Sequence, residues 1–149
     1  MSEERPASVR AVVWLLGGLI ALTGMTALLT IFLKDELVDD WASGRVDSGS
    51  VAAPAFVPVA VTMFVVVGSL AVVLLIFFLN RFPWARLVLT ALLVVLGIAF
   101  VTTLRAGPPP LFLVLTAASL VLDVGVLFSL WRPDTTAYFT RESAKVELP

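Results

Sequence analysis

Asp123 is the one ionisable residue that falls deep inside a long apolar run of this sequence, and Ser119 and Thr116 precede it by four and seven residues. Spacing of i, i+3 and i+7 sets Thr116, Ser119 and Asp123 along one stripe of a helix. Three oxygen-bearing side chains in such a stripe are suited to passing a proton or a small cation. An ionised aspartate at the centre of a membrane helix costs on the order of 3 kcal/mol even on the lenient insertion scale. Its carboxyl must therefore face protein, water or a partner, or stay protonated. Counted at about 1.5 Å per residue, Asp123 lies roughly 12 Å from the end of its run near Trp131. Two roles fit this intramembrane polar site. It is part of a relay, or it makes an interhelical hydrogen bond to Thr90, Ser69 or a backbone carbonyl. The second is preferred, because polar residues commonly tie helices together and one carboxylate is little to build a pathway from.

Other chemistry is poorly supplied. The sequence has no histidine and no cysteine, which removes the commonest general base, the thiolate nucleophile and the usual transition-metal ligands. No carboxylate pair or nucleophile with a base sits within the apolar runs, so no catalytic residue, cofactor site or metal site is assigned and an enzyme is not expected. The acids Asp35, Glu36, Asp39, Asp40 and Asp47 lack the alternating ligands and turn glycine of a calcium loop. They are read as a solvated acidic face. Net charge is −1 and the basic residues are scattered, so no nucleic-acid partner is expected.

The elements that must position Asp123 are set by composition. Hydrophobic residues make up 60% of the 149 residues and charged residues only 14%, against about 25% charged in an ordinary soluble domain. Mean hydropathy is +1.05. The apolar residues fall in four blocks, 11–33, 56–79, 87–104 and 111–131, each near the roughly 20 residues that cross a hydrocarbon core. The first block is too long, and too abruptly ended by Lys34, Asp35 and Glu36, for a cleaved signal peptide. Pro54 and Pro58 suit the start of the second helix and Pro83 that of the third, while Gly107 and Pro108 to Pro110 halt the third. The connections after the second and third blocks are short enough to force antiparallel neighbours. The expected fold is an all-α membrane protein, one domain over 1–149, with four transmembrane helices in an antiparallel up-down bundle.

Outside the spans, 34–53 is expected to be an extracytoplasmic acidic loop. Leu33, Leu37 and Trp41 recur in it at helical spacing, so the first helix is expected to run on as an amphipathic turn. Residues 132–149 are expected to be a cytoplasmic tail, with Tyr138 and Phe139 as interfacial anchors and a disordered stretch from Thr140. Arg5, Arg10, Arg81, Arg86, Arg132, Arg141 and Lys145 fall on one side, and Lys34, Arg45 and Arg105 on the other. That asymmetry places both termini in the cytoplasm.

Small residues mark helix contacts. Gly17, Ala21 and Gly24 share one face of the first helix, and Ala118, Gly125 and Ser129 share one face of the fourth. Such faces let backbones approach closely where lipid removes the hydrophobic drive for association. Closure of the bundle is the preferred use, and binding of another protein the alternative.

The segments RFPWAR (Arg81 to Arg86) and LWRPDTTAYF (Leu130 to Phe139), in a Val/Leu/Ala-rich chain without cysteine or histidine, resemble small four-helix integral membrane proteins of actinobacterial type. The resemblance implies a bacterial plasma membrane and carries over no functional residues. The expected role is an accessory or structural subunit of a larger membrane protein complex, in contact with the lipid bilayer and a membrane-protein partner. The alternative is a homo-oligomeric ion or proton conduit, or a small transporter, that uses Asp123.

Overall fold

The computed structural model describes residues 5–44 and 55–146. Residues 1–4, 45–54 (with Arg45, Asp47 and Pro54) and 147–149 lie outside the described residues. The described chain is all-helical, with α1 (Ala7–Phe32), α2 (Lys34–Ser43), α3 (Phe56–Leu79), α4 (Pro83–Arg105), α5 (Pro110–Leu130) and α6 (Pro133–Val146). Helices α1, α3, α4 and α5 are long and apolar enough to cross a membrane, at 26, 24, 23 and 21 residues. Even the shortest spans about 31 Å, against a hydrocarbon core of about 30 Å.

Proline places two of the starts. Pro83 and Pro110 occupy the first turn of α4 and α5, where the N–H that proline lacks has no intrahelical acceptor to lose. Because Pro83 is part of α4, that helix exceeds the 18 residues expected from 87–104 and clears the spanning length with a turn to spare.

The turn from α3 into α4 is a tight C-cap. The N–H of Arg81 donates to the Phe78 carbonyl and that of Phe82 to the Phe77 carbonyl, the paired bonds of a Schellman motif. The Phe77 and Phe82 rings then meet edge to face at 5.6 Å. Arg81 takes the left-handed position at φ 65°, which usually belongs to glycine. At the α4–α5 turn that position is filled by Gly107, at φ 69°.

The four long helices form a ring, with α1 against α3 and α5, and α4 against the same two. Leu15 and Gly18 of α1 meet Gly125 and Leu122 of α5, and Thr90 and Gly97 of α4 meet Trp131 and Asp123 of α5. The core gathers toward one end of the ring. It takes Val9, Val12, Leu16 and Leu19 from α1, Ala71, Leu74 and Phe78 from α3, Ala85, Leu89 and Leu93 from α4, and Val126 and Leu130 from α5. Beyond Leu93, α4 buries no residue. The outside of the ring is apolar: Val121 is 72% exposed and Phe128 69%. Surface of that kind is matched by lipid or by another protein rather than by water.

Two connections differ from expectation or extend it. The acidic loop opens with helix α2, hinged on α1 at Leu33. Leu33, Leu37 and Trp41 lie half-buried while Asp35, Glu36, Asp39 and Asp40 are exposed. The tail expected to be disordered from Thr140 is helical up to Val146. Pro133 opens α6, Asp134 lies in its first turn, and the N–H groups of Thr135 and Thr136 bond the Arg132 carbonyl. A favourable start and docking on the bundle outweigh the polar composition of this segment.

Candidate functional site

Asp123 sits on the inner face of α5 with 1% of its surface exposed. Ser119 and Thr116, one and two turns before it, are also buried. The carboxyl points at α4, where a Cβ on Gly97 would stand 3.0 Å from Oδ2. Glycine thus leaves the space that the carboxyl fills. Among the described residues neither carboxyl oxygen has a hydrogen-bond partner, which is exceptional for so buried a polar group.

The partners expected for Asp123 are engaged elsewhere. Thr90 donates its hydroxyl to the Arg86 carbonyl and accepts the indole N–H of Trp131 at 3.2 Å. Ser69 donates to the Val66 carbonyl on its own helix, and Ser119 to the Leu115 carbonyl. The stripe of Thr116, Ser119 and Asp123 therefore does not form a bonded chain. Ser119 is tied to its own backbone, as serines within apolar helices commonly are.

The small-residue faces divide. Gly24 meets the Phe64 ring at 3.0 Å and Gly125 meets Leu15 at 3.5 Å, each measured from the place a Cβ would take. Ser129 is buried, and its carbonyl accepts the hydroxyl of Thr135, which is fully buried at the start of α6. Gly17, Ala21 and Ala118 are exposed, and among the described residues nothing lies within 4 Å of a Cβ on Gly17. Closure of the bundle accordingly uses Gly24, Gly125 and Ser129 and leaves the other three on the outside. Along this part of α1 the buried positions are Leu16 and Leu19, beside the exposed Gly17 and Ala21.

The end of the bundle next to α6 holds a second polar group that composition and spacing did not reveal. The Arg86 guanidinium lies 4.2 Å above the Trp131 ring and donates through Nη2 to Thr136 Oγ1 at 3.2 Å. Phe139 packs edge to face on Phe78 at 5.4 Å. These contacts clamp α6 across the ends of α3 and α4; the Tyr138 side chain lies outside the described residues. The signal was the pairing of RFPWAR with LWRPDTTAYF, which lie fifty residues apart and meet here. Stacking of arginine on an indole is worth about 0.5–1 kcal/mol at exposed sites.

A small apolar cavity of ≈ 20 Å³ between α1, α3 and α4 is lined by Leu16, Leu19, Phe64, Ala71, Leu93 and their neighbours. Asp123 is not among its lining residues. Comparison with protein-family models, curated proteins and solved structures finds no match to this chain.

Proposed function

We propose that this chain is an accessory or structural subunit that works by packing against another membrane protein. In this reading its four long helices form an antiparallel up-down bundle in a bacterial plasma membrane, with both termini cytoplasmic. The register of contacts supports the antiparallel arrangement. From Thr90 to Gly97 on α4, the facing residue on α5 falls from Trp131 to Asp123. The basic-residue asymmetry supports the orientation.

The observation that carries the accessory reading is the outward placement of Gly17 and Ala21. Small residues invite close approach of a neighbouring backbone, and here the chain's own helices do not use that invitation. The occupant is a transmembrane helix of a partner protein. A conduit shared between copies of this chain is disfavoured by the position of Asp123. Copies that meet through their outer surfaces would line a common axis with apolar side chains, because Asp123 is sealed between α4 and α5.

Extraction in a gentle detergent through an affinity tag after Pro149 tests the proposal. A distinct second polypeptide in stoichiometric amount is the expected result. Recovery of a homo-oligomer alone, with ion flux in reconstituted vesicles, would overturn it.

A further inference from the structure

We propose that the Asp123 carboxyl is a proton-binding site whose occupancy sets the contact between α4 and α5. The carboxyl is buried against Gly97, and both oxygens lack a partner among the described residues. Among the described residues no charged group faces it from the helices packed around it. Within the spans, α3 has no ionisable residue, α1 has only Arg10 near its start, and α4 has only Arg86 and Arg105 near its ends. Arg86 is eleven residues from Gly97, about 16 Å along the helix, and is committed to Trp131 and Thr136. Arg132 lies in the turn beyond the far end of α5, and Asp134 in the first turn of α6.

A charge at this place would have neither a counter-ion nor a donor, so the packing described here suits the uncharged carboxyl. Loss of the proton therefore drives α4 and α5 apart until water or lipid headgroups reach the carboxylate. The fold supplies a part that can move. Leu93 is the last buried residue of α4, so from Gly97 to Arg105 the helix is held by half-buried and exposed positions alone. At the other end, the bond from Trp131 to Thr90 and the core around Leu89 hold α4 in place. The outer half of α4 is the arm and the packed end is the hinge.

The test uses the full-length protein in lipid vesicles, with spin labels on cysteines placed at Val101 and Leu113, both partly exposed on the outer halves of α4 and α5. As pH rises from 4 to 10, the expected result is a lengthening of the label distance by several ångströms along a one-proton curve. Asp123→Asn should hold the short distance at every pH, and Asp123→Glu should keep the transition with a displaced midpoint. Gly97→Ala crowds the protonated, closed form and should move the midpoint to lower pH. A distance independent of pH in the unsubstituted protein, or the same transition in Asp123→Asn, would overturn the proposal. Helicity and elution volume of the variants identify any that fail to fold, and the Glu variant supplies the comparison in that case.

Discussion

Trp131 and Thr90 join α5 to α4 by an indole N–H bond of 3.2 Å, and the same indole ring carries the Arg86 guanidinium at 4.2 Å. One tryptophan thereby links α4, α5 and, through the bond from Arg86 to Thr136, α6. Residues from the two segments RFPWAR and LWRPDTTAYF, together with Thr90, make this junction.

If Arg86 is structural at this junction, its loss should register in stability. Arg86→Ala removes both the stack on Trp131 and the bond to Thr136, a cost of about 1–2 kcal/mol. Arg132 lies 5.8 Å from the Phe128 ring, and Arg132→Ala should stay within about 0.5 kcal/mol. Unfolding in mixed micelles of increasing dodecyl sulfate content measures both, and equal effects would contradict this account of the junction.

Arg81 adopts φ 65° in the turn from α3 to α4. Glycine adopts that conformation without the strain a Cβ brings. Arg81→Gly should therefore be more stable than Arg81→Ala by about 1 kcal/mol in the same assay. Comparison of two truncations cancels the loss of the arginine side chain itself. An alanine variant as stable as the glycine variant would show that the turn relaxes.

Gly97 and Gly17 make opposite predictions under the same substitution. A Cβ at Gly97 meets Asp123 Oδ2 at 3.0 Å, whereas among the described residues one at Gly17 meets nothing within 4 Å. Gly97→Ala should destabilise by about 1 kcal/mol or more, and Gly17→Ala should leave the isolated chain's stability within about 0.5 kcal/mol. With Asp123→Ala already in place, the Gly97→Ala penalty should shrink by at least about 0.5 kcal/mol, because the two residues share one contact. Strict additivity would mean that the carboxyl and the glycine do not meet.

The orientation is open to labelling, since the chain has no cysteine of its own. Gly44 and Thr140 are exposed at the end of α2 and within α6. Cysteine at Gly44 should react with an impermeant thiol reagent added to intact cells, and cysteine at Thr140 only after permeabilisation. The reverse pattern would invert every statement about sides.

The positions of the long helices were legible because length and hydropathy decide them, and proline and glycine mark their ends in the sequence. What stayed hidden was rotation about each helix axis. A soluble helix shows its buried face by an apolar stripe, but α1 is apolar on nearly every side, so core-facing and outward-facing positions look alike. The sequence therefore sets Gly17, Ala21 and Gly24 on one face of α1 without showing that Gly17 and Ala21 are exposed while Gly24 meets Phe64. Nor does the sequence show that Thr90 bonds Trp131 rather than Asp123. Asp123 itself was legible because a carboxylate in an apolar run is costly wherever the helix turns. The helicity of α6 is not legible because its polar composition carries the same signature as a disordered end, and docking through Thr135 and Phe139 is long-range information.

Under the proposed function the outward face of α1 receives a helix from another protein. Site-specific photocrosslinking in living cells tests it most directly, with the crosslinker at Ala21 and, as control, at Val95, which is exposed on α4. The expected result is a discrete adduct with one distinct polypeptide from Ala21, absent from Val95 and abolished when Gly17 is replaced by a bulky residue such as leucine. Adducts with lipid or with copies of this chain alone, the same at both positions, would contradict it.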